Sequence, residues 1–430
     1  MKNKLKLLFI LPCLLLASCN FKYSYTIKGL VIGGDGADEI DDGIDDAGTY
    51  NIKVWVDDKI VSLTQTQIQE FVSLSGGKYT INATVEPQSE GTAASSMLQD
   101  VQSGADIFVF AQDQLARLKV AGAVSKLTGN YETFVRTNNS EDSVTAASIK
   151  GNIYAYPITS DNGYFLYYDK QYISDEDAKD MTTILARCRA AGKVLNFEGR
   201  SNGFYAASYF LATGCTTSWE LDDVTGKFKS YEDTFNSDNG LIAAKGIKEI
   251  ADTSVVASNS QASKLNGTAA AVISGVWEYE VALNRLGPDR LGCAEMPSFT
   301  VDGTPRHLSS YDGYKLMGVK PQVDAKKASV CRKLARYLTS GSCQTERFKE
   351  VSWGPTNKEA SEREEVKSHP GLAALLKQHE FATQQSLCPG AWFNALSAAT
   401  KAITPTSTDA QLRTILASYA SGLDELLSED

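Results

Sequence analysis

Histidine is scarce in this chain: three of 430 residues, His307, His369 and His379. None stands in a nucleophile, zinc or phosphate motif, and no G-x-S-x-G, H-E-x-x-H or P-loop pattern occurs. That argues against the reaction classes written in a local motif. It leaves a glycosidase pair, which needs only two acids ~5–10 Å apart. His369 before Pro370, and His379 between Gln378 and Glu380, read as exposed helix ends or faces. Basic charge is short as well: a net charge of −10 argues against nucleic acid or anionic lipid as the partner. Past the N-terminus, no apolar run approaches the ~20 residues of a spanning helix. The eight cysteines show no C-x-x-C and no Cys/His spacing of a metal site, so neither metal nor cofactor is expected. Cys188, Cys215, Cys293, Cys331, Cys343 and Cys388 read as structural, free or paired. Cys331 and Cys343 would lie ~18 Å apart on one helix, beyond disulfide reach unless Gly341 breaks it.

What is present starts at the N-terminus. Lys2, Lys4 and Lys6 precede an apolar stretch from Leu7 to Ala17, too short to span a membrane and right for an export signal. Leu16-Ala17-Ser18-Cys19 resembles the lipobox of bacterial lipoproteins. The resemblance implies a signal peptide over 1–18, cleavage before Cys19 and lipid attachment there. The protein would then be anchored to the extracytoplasmic face of the bacterial cell membrane and touch lipid only through that anchor. Residues 19–50 carry Gly33-Gly34-Asp35-Gly36 and the acids Asp38, Glu39, Asp41, Asp42, Asp45 and Asp46. They read as a solvated acidic tether. The EF-hand register and its closing Glu are missing, so no calcium is assigned.

The remaining length exceeds what one hydrophobic core usually spans, so two lobes are expected. With 43% apolar and 22% charged residues the body has an ordinary globular composition. Ile52 to Val56 alternates as a strand; Ile68, Phe71 and Val72 take helical spacing before Gly76-Gly77. A strand from Tyr79 to Val85, a helix through Met97, Leu98 and Val101, and an apolar strand from Ile107 to Phe110 follow. This β-α-β-α-β order argues for a largely parallel sheet whose ligands bind beyond the strand ends. Val330, Cys331, Leu334, Ala335 and Leu338 mark a later amphipathic helix. Trp392, Leu396 and Ala399 share one helical face, and Leu412 to Leu426 forms another helix.

Six segments in order resemble the solute-binding proteins of ABC importers, specifically the maltose/maltodextrin branch of the sugar-binding family. They are Gly104 to Asp113; Ala121-Gly122 before Leu127; Gly151 to Ile158 with Tyr167-Tyr168-Asp169-Lys170; Asn266 to Trp277; Gly354-Pro355-Thr356-Asn357-Lys358; and Trp392. The likeness runs from about Ile52 to the C-terminus. It implies an α/β, two-lobed periplasmic-binding-protein-like fold with three hinge crossings, near Tyr156-Pro157-Ile158, Pro297 and Gly354-Pro355. Lobe one is then 51–157 and 298–353, and lobe two 158–297 and 354–430. The implied function is capture of a maltodextrin-type oligosaccharide by a monomer that closes on its hinge and delivers the sugar to the membrane permease. The resemblance implies no enzymatic activity. Another sugar, a polyol or a polyamine is the alternative ligand, and a surface glycan hydrolase the alternative class.

By position in that branch, Phe110, Trp277 and Trp392 match aromatic platforms and Asp113 a hydroxyl-binding carboxylate. From the residues alone, Phe110 and Trp277 also suit a core and Trp392 a packed helix face. Asp113 also suits a helix N-cap. The second carboxylate falls on Asp161 or Asn162, with Asp161 preferred. Asp57, Lys59, Asn202 and Phe204 fall at further polar and second-lobe contacts. Gln114 stands where the branch commonly has Arg, and Phe110 where it has Trp. Losing the guanidinium removes a rigid bidentate donor.

Overall fold

The computed structural model describes residues 25–27, 30–32 and 43–427, apart from 223, 224, 226 and 386. The signal peptide, Cys19 and much of the tether lie outside the described residues. Two five-stranded sheets organise the chain. The first runs in the order Tyr79–Pro87, Gly48–Val56, Ile107–Ala111, Lys315–Val319, Tyr156–Thr159. Its first three strands are parallel, and Lys315–Val319 lies antiparallel to both of its neighbours. Ile52, Val54 and Val56 alternate inward, whereas Ile107 to Phe110 is buried throughout, as expected of a central strand covered on both faces. Helices Val61–Leu74 and Ala325–Leu338 pack on one another and Glu90–Gln99 packs against Ile107–Ala111.

The second sheet runs Val256–Ala257, Val194–Asn196, Ala269–Ser274, Phe165–Asp169, Leu291–Ala294. Alternation along Phe165–Asp169 sends Phe165 and Tyr167 into the same core as the first sheet, and Leu166 and Tyr168 into a second core. That second core is built by helices Gly203–Ala212, Asp238–Ile250, Gly390–Lys401 and Asp409–Ser421. Gly203 is required here. A Cβ on it would sit 2.2 Å from the Phe393 carbonyl oxygen, so only glycine lets the two helices approach this closely.

Tyr156–Thr159 in sheet one is followed at once by Phe165–Asp169 in sheet two, and Leu291–Ala294 in sheet two precedes Lys315–Val319 in sheet one. After helix Gly341–Val351 the chain returns, and helix Pro370–His379 covers Phe165–Asp169 and Leu291–Ala294. The connecting segments bind one another: the Ser160 amide donates to Gly354 O (2.9 Å) and the Asn162 amide to Gly313 O (3.3 Å).

Several expectations need correcting. The boundary placed at Pro297 is too early. Ser298–Val301 pairs with Thr304–His307, and Phe299 and Val301 are buried in the second core, so the return to sheet one falls just before Lys315. The tether ends before residue 50. Asp46 is fully buried, accepts from Ser329 (2.7 Å) and the Tyr79 hydroxyl (3.0 Å), and pairs with Lys333 and Lys78. Burial alone would raise its pKa, but these donors outweigh it and hold the carboxyl down at about 2. His369 is buried, not exposed: its Nδ1 accepts from the Leu372 amide and burial pushes its pKa down to about 4. Cys331 and Cys343 lie on separate helices broken by the Ser340 N-cap, and all six cysteines among the described residues are free.

Candidate ligand-binding cleft

Parallel strands place the residues that follow them along one edge of a sheet, and here those residues are the polar ones. Asp57 follows Gly48–Val56, Glu90 opens the helix after Tyr79–Pro87, and Asp113 follows Ile107–Ala111. In sheet two, Phe204 lies beyond Val194–Asn196 and Trp277 beyond Ala269–Ser274. Lys315 begins an antiparallel strand and so joins the same edge. Together with Gly91, Ala111, Gln114, Asn162, Gln385, Gly390 and Phe393, these residues line a cleft of about 490 Å³ between the sheets.

One wall is acidic. Asp113 is 6% exposed; its Oδ2 accepts from the Gln114 side chain, while its Oδ1 has no hydrogen-bond partner among the described residues. Burial raises the Asp113 carboxyl to about 6. It does not cap a helix: Gln114 is the N-cap residue of Leu115–Val120 and makes no side-chain cap. Asp57 does cap, accepting from the Lys59 amide (3.0 Å), and burial with nearby Glu90 raises it to about 6. The rest of the lining includes three aromatic rings. Trp277, Phe204 and Phe393 are each half-buried. The Trp277 ring lies over Gly275, where a Cβ would stand 2.1 Å from it.

Of the residues singled out from the sequence, Asp57, Asp113, Phe204 and Trp277 therefore share one cavity. The others are near it but differently employed. Phe110 is fully buried against Phe108, a core residue of a strand covered on both faces. Trp392 is fully buried too, its Nε1 donating to Asp233 (3.2 Å); its neighbour Phe393 is the one that lines the cleft. Asp161 is completely buried and accepts from Thr159 Oγ1 (2.5 Å), while Asn162 reaches the cavity. Lys59 spans the gap: its Nζ donates to the Trp277 carbonyl (2.8 Å). Asn202 caps helix Gly203–Ala212 and borders a second, polar cavity of about 510 Å³ shared with Phe393. Sequence reasoning missed Glu90, Lys315, Phe393 and Gln385 as cleft residues. For Phe393 the signal was present, since Trp392, Leu396 and Ala399 already define the buried stripe that it flanks.

Lys315 sits in the cleft floor, 7% exposed, its Nζ 3.5 Å from Glu90 Oε1 and 3.9 Å from Asp161 Oδ1. Burial would lower its pKa, but Glu90, Asp161 and Asp57 outweigh that and raise it. No group of three or more His, Cys, Asp or Glu placed to hold a metal is found among the described residues. No described helix is long and apolar enough to cross a membrane.

The fold has counterparts among solved structures. A solved structure with acarbose is 26% identical, with a TM-score of 0.76 covering 88% of this chain and 100% of that one. The maltodextrin binding protein MalE1 from L. casei BL23 is 20% identical with a TM-score of 0.71, over 89% of this chain and 100% of that one. The GacH receptor of Streptomyces glaucescens is 15% identical with a TM-score of 0.69, over 88% and 98%. No curated protein matches the chain. A family profile described as bacterial extracellular solute-binding protein matches residues 66–374. That membership makes this a binding protein rather than an enzyme: the chain belongs to the bacterial extracellular solute-binding proteins.

Proposed function

We propose that this chain is the substrate-binding lipoprotein of an ABC importer, and that it captures a maltodextrin-type oligosaccharide in the cleft and delivers it to a membrane permease. The observation that carries this is that the rings of Trp277, Phe204 and Phe393 and the carboxylates of Asp57, Glu90 and Asp113 line one cavity. Sugars present apolar C–H faces that stack on rings and hydroxyls that donate to carboxylates. The orphaned, buried Oδ1 of Asp113 is an acceptor waiting for such a donor. A hydrogen bond to a charged group contributes roughly 1.5–3 kcal/mol. Burial of a large apolar side chain contributes ~1.5–3 kcal/mol. A few of each reach the ~8 kcal/mol of micromolar binding. Relatives in the same fold carry acarbose or maltotetraose.

Delivery follows from closure. The lobes rotate about three connections near residues 160–164, 309–314 and 352–357, and ligand touching both walls favours the closed state by its differential affinity. The Lys59 bond to Trp277 is one contact across the gap that such closure uses. The anchor at Cys19 keeps the protein beside its permease. A thermal-shift screen of the mature chain against maltose, maltotriose, maltotetraose, acarbose, polyols and spermidine tests the reading, because only ligands of the native form raise the melting point. Stabilisation by the glucans supports it; stabilisation by spermidine alone, or by no glycan, overturns it.

A further inference from the structure

We propose that Lys315 is a built-in counter-ion that makes the cleft select uncharged glycans over cationic solutes. The inference rests on the cleft being the ligand site, as proposed above. Asp57 and Glu90 line the cleft, Asp161 lies fully buried next to Lys315, and the ammonium among these carboxylates stands over two indole rings. Carboxylates flanked by aromatic faces are the chemistry that recognises an alkylammonium ion. In this chain the ammonium comes from within. Lys315 Nζ lies 3.5 Å from Glu90 Oε1 and 3.9 Å from Asp161 Oδ1. It also sits 4.1 Å from the centre of the Trp353 ring and 5.7 Å from that of Trp277.

This lysine opens a strand whose other residues, Leu316 to Val319, are apolar or glycine and all buried. A charge at such a place is costly unless paired. Its pairing partners are Glu90 of the cleft lining and the buried Asp161, so the cost is offset only while these carboxylates remain ionised and in place. An incoming amine would find its seat taken. Asp113 stands apart from these partners, its free Oδ1 left for a hydroxyl donor. Lys315 thereby also fixes the position of Glu90, which acts on the sugar directly.

The test uses the full mature chain and titration calorimetry with maltotriose and with spermidine. Lys315→Met keeps the unbranched shape and most of the side-chain length and removes the charge. Its expected behaviour is a loss of maltotriose affinity of at least tenfold and a gain of saturable spermidine binding that the wild type lacks. Lys315→Ala should recover maltotriose affinity at least threefold when ethylammonium chloride, but not sodium chloride, is added. A merely structural lysine would show no such rescue. Lys315→Arg, which keeps the charge, should still exclude spermidine, and this arm stands even if Lys315→Met fails to fold. Wild-type-like maltotriose binding by Lys315→Met, or spermidine binding by the wild type or Lys315→Arg, overturns the proposal. Loss of the cleft reading itself has a different signature: Asp113→Ala in the Lys315 background would leave maltotriose binding intact.

Discussion

Two adjacent aromatics make opposite predictions, and the pair separates ligand contact from packing. Trp392 is fully buried, its ring 5.6 Å from that of Phe235 and its Nε1 bonded to Asp233. Trp392→Ala opens a large cavity and should cost ~3–5 kcal/mol of stability. Asp233 keeps its bond from the Tyr419 hydroxyl (2.9 Å), so no further penalty for an orphaned carboxylate is expected. Phe393 is half-buried at the cleft, with the Phe204 ring 6.4 Å away. A ring that is only partly covered before ligand arrives still has about half of its ~1.5–3 kcal/mol of burial to gain. Phe393→Ala should therefore weaken maltotriose binding roughly tenfold, the equivalent of about 1.4 kcal/mol. Urea denaturation and titration calorimetry on both variants measure the two effects. Trp392→Ala with near-wild-type stability and tenfold weaker binding, alongside unchanged binding by Phe393→Ala, would refute the assignment of the two side chains.

Asp57 and Asp113, both raised to about 6, accept ligand hydroxyls best when ionised, so glucan affinity should fall as pH drops from 7 to 5. Binding at pH 6 should then release protons, which titration in buffers of different ionisation enthalpy detects; proton uptake would contradict it. Asp46, held down at about 2, lends stability above the ordinary carboxylate range that is lost as pH falls through its folded value. Asp46→Ala, which breaks a buried ion pair, should lose ~3–5 kcal/mol by urea midpoint and flatten that acid dependence. Cys19→Ala should move the protein from the membrane fraction to the soluble one, and continued retention in the membrane fraction would count against the anchor.

Local pattern carried the first lobe. The alternation through Ile52, Val54 and Val56 and the helix stop at Gly76-Gly77 are written in consecutive residues, and both appear in the structure. Pairing of Lys315–Val319 with Ile107–Ala111 joins segments some 200 residues apart, and no local signal announces it. The same limit hid Lys315 as a cleft residue. Its partners Glu90 and Asp161 come from separate elements that only the folded sheet brings together. Phe110 was open to a platform role from its place in the family pattern, yet a strand apolar at every position is buried on both faces, and the physical pattern decided it. On helix Gly390–Lys401 the buried stripe was legible, but an indole drew attention from the phenyl beside it. One residue along a helix turns the side chain by about 100°, enough to exchange core for cleft. Asp46 escaped notice because an acidic run reads as solvated, while its lysine partners lie at positions 78 and 333.

Titration calorimetry of the mature wild type with maltotriose, beside a Trp277→Ala, Phe393→Ala double variant of confirmed fold, tests most directly that the cleft's aromatic wall holds the sugar. One-to-one, micromolar binding by the wild type and a loss of at least a hundredfold in the variant are expected. Saturable binding of equal strength in both would contradict it.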